Sequence, residues 1–502
     1  LILRDALYYR MKDDVCVACM IFPTHKRRRK EEFMEKFMEK YFKLQERDTT
    51  VRTEILAGLT TFMAMAYILM VNAGMFSELK VVSYNAIYIA TAISAVFGTL
   101  FIGLVANLPL AQASGMGLNA FFVYTVCFEF GLTYANALTL VLLDGIIFII
   151  LTATGLREKI FNSIPDCVKK VIPAGIGLFI AFIGLQDAGL VVANDSTCVS
   201  LASFNVFNGS AKWSTIMPLL VTLITLFIIA ILSVNKVKGA ILYGILSGSV
   251  IYYIFGAPIK GFYSSITSSF NFNPVASFHD FGTEAFCKVF TQGFDYSGYL
   301  AKHSVASLVI LIITTALAFC LVDMFDTLGT LYGACSRGNL LTKEGKIPNF
   351  EKAMFSDAVA TTVGAVCGTS TVTTFVESSA GVAEGGRTGL AAVSTAVFFF
   401  IAMFLSPVAQ LIPGAATAAA LIYVGVLMMK CVVDINWLDP AVSVPAFLTL
   451  AMMPMTYNIS YGIAFGLIGY VIISAFTGKI KEIKVGTWVV AILFAVMFLL
   501  TH

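Results

Sequence analysis

The chain has 502 residues, of which 58% are hydrophobic and only 13% carry a charge. Soluble domains carry about 25% charged residues, so this composition excludes an ordinary soluble protein and indicates one that crosses a membrane many times. The formal net charge of +3 is too small to indicate a nucleic-acid partner.

The first 53 residues differ from the rest of the chain. Residues 1–33 include a basic run at 26–30 but no apolar core of the kind that a secretory signal needs. We interpret residues 1–33 as an atypical N-terminal extension. Residues 34–53 mix aromatic, aliphatic and charged side chains, which predicts a cytoplasmic amphipathic lead-in at the membrane surface.

Hydrophobic runs fill most of the remaining chain. The first seven lie at 54–76, 84–106, 109–130, 134–155, 167–189, 213–234 and 239–256. Seven more follow a polar stretch, at 303–334, 355–370, 371–388, 389–411, 414–433, 438–456 and 459–477. The pattern predicts an all-α polytopic membrane protein with 14 transmembrane segments. Its two repeats, 54–256 and 303–477, are joined by an extracellular connection at 257–302.

Two segments at corresponding positions of the halves, the third and the tenth, are interrupted. Residues 371–376 are all β-branched or aromatic, which favours extended backbone, and small residues with helical spacing follow them. The third segment likewise runs from Pro109 through an extended-looking piece into Gly115 and Gly117. Such backbone survives at membrane depth only where protein or a watery cavity covers it. Matched short segments therefore predict a transporter site.

Loops rich in Lys and Arg are placed in the cytoplasm by the positive-inside rule. The basic residues of alternate loops are Arg157, Lys159, Lys169, Lys170, Lys236, Lys238, Arg337, Lys343, Lys346, Lys352, Lys479, Lys481 and Lys484. We predict that both termini are cytoplasmic. Residues 478–502 form a cytoplasmic or interfacial C-terminus, in which the apolar stretch 487–500 is too short to span comfortably.

Three acidic residues are predicted to face one cavity. Asp323 and Asp326 are three residues apart on the eighth segment, hence on one helical face, and Glu377 follows the extended piece of the tenth. A carboxylate at this depth is costly, so a functional role is the first interpretation, more firmly for Asp323 than for Asp326, which could serve only to cap or pair. Glu384 and Arg387 have the spacing of an ion pair.

The chemistry of such a cavity suits a planar solute. Carboxylates accept hydrogen bonds from N–H groups, while backbone amides at a helix start donate to carbonyl or ring-nitrogen acceptors. An aromatic side chain such as Phe375 could stack on the ring. A carboxylate could also carry a proton alternately with the solute, and Glu377 and Asp323 are the candidates.

Four motifs resemble those of the AzgA-like purine permeases, which belong to the nucleobase–cation symporter-2 family. The motifs are T-E-I-L-A-G-L-T-T-F-M-A-M-A-Y-I (53–68), G-M-G-L-N-A-F-F (115–122), D-M-F-D-T-L-G-T-L (323–331) and E-S-S-A-G-V-A-E-G-G-R-T-G-L (377–390). The resemblance covers about 45–480 in order. The chain departs from it at Ser114, where relatives usually have Pro.

This resemblance implies two inverted repeats of seven segments, with a core domain (segments 1–4 and 8–11) and a gate domain (5–7 and 12–14). It also implies proton-coupled uptake of adenine, guanine or hypoxanthine at the plasma membrane by alternating access, in a protein that is often a homodimer. The matching site residues, with the neighbours of Glu377 added, are Gly117, Asn119, Asp323, Asp326, Phe375, Glu377 and Ser378.

Other interpretations stay open at this point. The sequence does not rank the purines, and it leaves transport of xanthine- or uracil-type bases and coupling to Na⁺ as alternatives. An anion carrier on the same fold would need a cationic site, whereas the central charges are acidic. An intramembrane aspartyl protease would take its two aspartates from different helices, so we expect no enzyme, cofactor or metal site.

Overall fold

The computed structural model describes residues 39, 41–154, 163–205, 211–264, 272–342 and 346–501. The predicted extension 1–33 and the first residues of the lead-in therefore lie outside the described residues. From residue 41 the lead-in packs on the body of the protein. Phe42 and Leu44 are buried against Leu390, and the Tyr41 hydroxyl donates to the Leu104 carbonyl over 2.9 Å.

Helices account for nearly all of the first half. Its elements are α1 (Val51–Met65), α2 (Tyr67–Ser77), α3 (Tyr84–Val105), β1 (Gln112–Ser114), α4 (Met116–Ala120, continued by a π-helix over Phe121–Glu129), α5 (Tyr134–Ala153), α6 (Asp166–Asp187), β2 (Val191–Asn194), β3 (Cys198–Leu201), α7 (Trp213–Val234) and α8 (Ala240–Gly256). Side chains cap several helix starts: Ser83 begins α3 and Thr133 begins α5, each accepting from a backbone N–H three residues on.

Short helices form the connection, and longer ones follow. The connection holds α9 (Pro274–Asp280), α10 (Lys288–Thr291) and α11 (Ser297–Leu300). The second half consists of α12 (Val305–Arg337), α13 (Phe350–Cys367), β4 (Val372–Thr374), α14 (Ser378–Ala383), α15 (Gly389–Met403), α16 (Ser406–Ala409), α17 (Gly414–Met428), α18 (Pro440–Met455), α19 (Ile459–Phe476) and α20 (Val485–Thr501).

Nine helical stretches within the described residues are long and apolar enough to cross a membrane, counting as one each α1 with α2, α15 with α16, and α17 with the 3₁₀ turn that follows it. The chain is thus a mostly helical polytopic membrane protein. Four shorter apolar helices include the third segment and α20. The count of fourteen spans in two repeats stays a prediction, as does the interfacial position of 487–500. The helix that contains this stretch, α20, packs on α19 and α12.

The predicted extended pieces of segments 3 and 10 are confirmed. They are β1 and β4, which pair antiparallel with Gln112 opposite Thr374 and Ser114 opposite Val372. Every residue of both strands is buried, and a short helix follows each one. Pairing satisfies the backbone groups that the broken helices leave open, so two halves of the chain are joined at the centre of the fold.

The helices pack in two groups. The first bundle contains α1–α5 and α12–α15, with α15 on α1 and α3 and with α13 on α3 and α5. The second bundle contains α6–α8 and α17–α19, with α6 against α17 and α18. The bundles meet where α2 contacts α17 and where α6 contacts α4 and α12.

Candidate functional site

A cavity of about 400 Å³ lies between the two bundles. The first bundle contributes Tyr67, Met116, Gly117, Phe325, Asp326, Gly329, Thr330, Thr374, Phe375, Val376 and Glu377. The second contributes Pro173, Val424, Leu427, Met428, Lys430, Cys431 and Asp434. The wall is mainly apolar with few polar groups, which is the usual character of a small-molecule site.

Glu377 lies in the first-bundle wall, between the end of β4 and the start of α14. Its Oε1 accepts a hydrogen bond of 2.7 Å from the hydroxyl of Tyr67, the first residue of α2. Tyr67 is fully buried, whereas Glu377 is half-buried and lines the cavity. The Tyr67 hydroxyl therefore orients the carboxylate at the cavity wall. Sequence reasoning missed Tyr67, although it lies inside the motif at 53–68.

The two aspartates of α12 do not share one environment, contrary to the prediction. Asp326 lines the cavity. Asp323 is fully buried outside the cavity wall, where its Oδ2 accepts from the Thr361 hydroxyl of α13 over 3.2 Å. Residues three apart on a helix differ by about 60° in direction, which is enough to separate a cavity position from an interhelical one. The cavity thus favours Asp326 over Asp323 as a ligand contact, the reverse of the ranking from sequence.

A buried polar network attaches the paired strands β1 and β4 to α12 and α13. Asp357 of α13 accepts from the Thr327 hydroxyl over 2.8 Å and from the Gln112 side-chain amide over 3.1 Å. The Thr327 hydroxyl also bonds that of Thr373 over 2.7 Å. The network connects β1, β4, α12 and α13, so the strand pair and its adjoining carboxylates are held in fixed positions.

Asn119 and Ser378 are buried next to the cavity but outside its wall. The Asn119 side-chain oxygen accepts from the hydroxyls of Ser114, over 2.7 Å, and Ser370. The Ser378 hydroxyl accepts from the Ala111 N–H over 3.0 Å. Both side chains brace the backbone around the strands, so their predicted contact with a ligand has no counterpart in the cavity wall. Ser114, the departure from the family pattern, belongs to the same network.

Phe375 and Gly117 lie in the wall, as the sequence suggested for them. Gly117 is also where α4 meets the second bundle, since a Cβ there would be 2.3 Å from Cγ2 of Ile176 on α6. Ile176 is β-branched and cannot easily turn away. Glycine at 117 therefore permits the close approach of the two bundles.

Gly117→Ala is expected to lower the initial rate of solute uptake by about tenfold, because overpacking costs about 1–3 kcal/mol. Ile176→Ala, which removes Cγ2, is expected to restore much of the rate in the double variant. Gly74→Ala on α2 is the matched control, as a Cβ there meets nothing within 4 Å. Equal rates for Gly117→Ala and Gly74→Ala at equal surface abundance would contradict the packing argument.

Lys430 and Asp434 were not anticipated from the sequence. They lie in the 3₁₀ turn Met429–Asp434 after α17, and both are exposed. The cavity therefore reaches the surface at this end, and Lys430 places a cation on the wall opposite the carboxylates. Among the described residues, no group of three or more His, Cys, Asp or Glu is arranged to hold a metal ion.

The expected ion pair between Glu384 and Arg387 is wrong. Glu384 pairs with Lys238, which directly precedes the second bundle's α8 and its N-cap Gly239. The Arg387 guanidinium instead donates to the backbone carbonyls of Val382 and Gly386. Carbonyls at the end of a helix can accept a further hydrogen bond from a guanidinium, and this competes with a surface ion pair of little value.

Comparison with known proteins gives extensive matches. The model of the Permease family, which describes xanthine/uracil permeases, matches residues 52–465. A putative permease of Methanocaldococcus jannaschii is 42% identical over 463 residues, 92% of this chain and 98% of the relative. The guanine/hypoxanthine permease PbuO of Bacillus subtilis is 40% identical, covering 90% and 98%. The adenine permease AdeP of Escherichia coli is 36% identical, covering 91% and 95%.

Solved structures with similar folds have little sequence identity. The transmembrane domain of the cyanobacterium bicarbonate transporter BicA superposes with a TM-score of 0.55 at 16% identity, covering 84% of this chain and 97% of that one. The murine anion transporter Slc26a9, in its inward-facing state, gives 0.54 at 12% identity, covering 85% and 68%. At this identity the likeness concerns the fold alone.

Proposed function

The chain belongs to the xanthine/uracil permease family, and we propose that it imports the purine nucleobases hypoxanthine, guanine and adenine by proton symport. The observation that carries this proposal is the pair of carboxylates, Asp326 and Glu377, on one wall of a cavity between two bundles. Relatives named as guanine/hypoxanthine and adenine permeases support the choice of purines.

A purine fits the chemistry of the wall. Its N–H groups donate to the carboxylates, and a charge-assisted bond of this kind is about twice as strong as a neutral one. Phe375 presents an aromatic ring beside Glu377, where a flat base can stack. The volume of about 400 Å³ leaves room for a single base with water.

Alternating access is proposed to arise from movement of one bundle against the other. The first bundle, containing both strands and all three predicted carboxylates, corresponds to the core domain, and the second bundle to the gate domain. The cavity reaches the surface near Lys430 and Asp434, in a loop that is cytoplasmic if the predicted segments alternate across the membrane from a cytoplasmic N-terminus. We propose that this opening faces the cytoplasm, so that the conformation is inward-open. We also propose that the protein lies in the plasma membrane with both termini cytoplasmic and forms a homodimer.

The alternatives differ in what they require. Transport of xanthine- or uracil-type bases uses the same wall, and coupling to Na⁺ leaves the purine assignment unchanged. An anion would meet Asp326 and Glu377, two like charges at the centre of the cavity, which argues against an anion carrier despite the similar folds. No enzymatic reaction is proposed for these carboxylates.

The direct test is uptake of radiolabelled hypoxanthine into cells that lack their own purine carriers. Unlabelled hypoxanthine, guanine and adenine are expected to compete, while uracil and bicarbonate are not. Saturable uptake inhibited by uracil, with no competition by any purine, would replace the purine assignment with a pyrimidine one.

Asp326→Asn and Asp323→Asn are expected to separate binding from coupling. Asp326→Asn should weaken equilibrium binding of hypoxanthine to the purified protein by about tenfold or more, because a bond to a charged group is worth about 1.5–3 kcal/mol. Asp323→Asn should leave that affinity within about threefold, because Asp323 lies outside the cavity wall, and should lose accumulation against a gradient. If Asp323→Asn lost hypoxanthine binding while Asp326→Asn kept it, Asp323 would be the better candidate for the ligand contact, as the sequence ranked the two residues.

A further inference from the structure

The two bundles also meet after the C-terminal end of α18, whereas the 3₁₀ turn with Lys430 at the cavity mouth precedes the start of that helix, so the two places lie at opposite ends of α18. The contact is a corner between α18 and α19, where Tyr457 has a left-handed backbone with φ of 58°. The Thr125 hydroxyl, on the π-helix that continues α4, donates to the Tyr457 carbonyl over 2.8 Å. The Asn458 side-chain amide donates to Glu129 over 3.3 Å. Both hydrogen bonds run from one bundle to the other.

The Tyr457 ring fills the space between the bundles at this level. Its ring centroid lies 5.7 Å from that of Tyr124 on the first bundle and 5.5 Å from that of Phe179 on the second, both in edge-to-face geometry. Phe182 contributes a third such contact at 5.8 Å. Tyr457 and Phe182 are half-buried while Phe179 and Tyr124 are buried, so the aromatic cluster narrows the gap between the bundles.

Hydrogen bonds within each bundle fix the partners of this contact. The Tyr457 hydroxyl donates to the Gln186 side chain at the end of α6, inside the second bundle. The Tyr124 hydroxyl donates to Glu78, directly after α2, over 3.0 Å inside the first. Each ring is therefore anchored to its own bundle, and movement of the bundles would separate Tyr457 from Tyr124 and Thr125 while keeping both anchors.

We propose that Tyr457 and Asn458, seated on Tyr124, Thr125 and Glu129, form the closure of the permeation pathway at the end opposite Lys430. The proposal rests on the proposed alternating access. The contacts of Tyr457 and Asn458 with the first bundle exist only while this end is shut. They therefore stabilise the state in which the Lys430 end is open. A contact made in one of two states shifts the equilibrium by its full differential free energy. Weakening it populates the state with the opposite opening.

Cys431 is a native reporter of this equilibrium, because it lines the cavity at the Lys430 end and is half-buried. The rate of its alkylation by N-ethylmaleimide in the purified full-length protein can be followed by peptide mass spectrometry. Thr125→Val, which removes the hydroxyl at nearly constant volume, and Tyr457→Ala are expected to slow the alkylation of Cys431 by about twofold or more. The alkylation rate of Cys431 is measured without any transported solute, so the result stays interpretable if the purine assignment fails.

Tyr457→Phe is the matched control, because it removes only the bond to Gln186 within the second bundle and retains the ring between the bundles. Its Cys431 rate is expected to stay within about 1.5-fold of the parent. If Tyr457→Ala does not fold, as judged by gel filtration, Thr125→Val decides the outcome. A parental alkylation rate in a folded Thr125→Val protein would overturn the closure and leave the corner as ordinary packing.

Discussion

Glu377→Gln is expected to abolish purine uptake while the protein still folds and inserts. The amide oxygen can keep the hydrogen bond from Tyr67, which measures 2.7 Å in the parent, so the local structure survives. The amide NH₂ then faces the N–H groups of the base as a second donor, and it cannot exchange a proton. Loss of a charge-assisted bond and creation of a donor–donor contact together predict a decrease of about a hundredfold or more.

The measurement is the initial rate of radiolabelled hypoxanthine uptake, normalised to surface abundance. Glu384→Gln is the matched control: it changes the same residue type seven positions along, where the carboxylate pairs with Lys238 at a partly exposed site. Its rate should stay within about twofold of the parent, as such pairs are worth little. Parental kinetics in Glu377→Gln would remove this residue from the site.

Uptake is expected to rise as the external pH falls from about 8 to about 6 and to collapse when a protonophore is added. The reason is that Asp326 and Glu377 share a cavity wall and Asp323 is buried one turn from Asp326, so three acidic groups stand close together. Like charges at short distance favour uptake of a proton by one of the groups. A protonated carboxyl donates as well as accepts, which favours a neutral base, and its deprotonation toward the cytoplasm releases that base.

The control for this second prediction is replacement of the external Na⁺. A coupling ion acts only through its different affinity for the two states, so an uncoupled carrier would merely equilibrate the base. Replacing external Na⁺ by choline at constant pH should leave uptake unchanged. Uptake that follows Na⁺ and ignores both pH and protonophore would refute proton coupling and spare the purine assignment.

Much of the fold was predictable because its signals are local. Apolar runs marked the helices closely, as at Trp213–Val234, where the predicted and observed bounds agree. The β-branched run at 371–376 gave β4, and the spacing of glycines indicated where the broken segments lie. These features depend on a few adjacent residues, which is what composition and periodicity report.

The side-chain environments were harder to predict, because they depend on long-range packing. Helical spacing placed Asp323 and Asp326 on one face, but only the position of α13 decides that Asp323 meets Thr361 and leaves the cavity to Asp326. Tyr67 is 310 residues from Glu377 in sequence. Lys430 enters the wall through the packing of α17 on α6. Periodicity within one helix carries no information on such partners.

The pairing of β1 with β4 also constrains the order of events during synthesis. Gln112 pairs with Thr374, which lies 262 residues further along the chain, so the backbone groups of β1 have no strand partner until all of that chain has left the ribosome. Unpaired peptide groups in the hydrocarbon layer cost several kcal/mol each. The first half of the chain therefore cannot reach its final arrangement on its own, and the paired strands at the centre are completed only when the second half is made. Biogenesis of this protein must hold an unfinished half in the bilayer, shielded by the insertion machinery or by water, until residue 374 arrives.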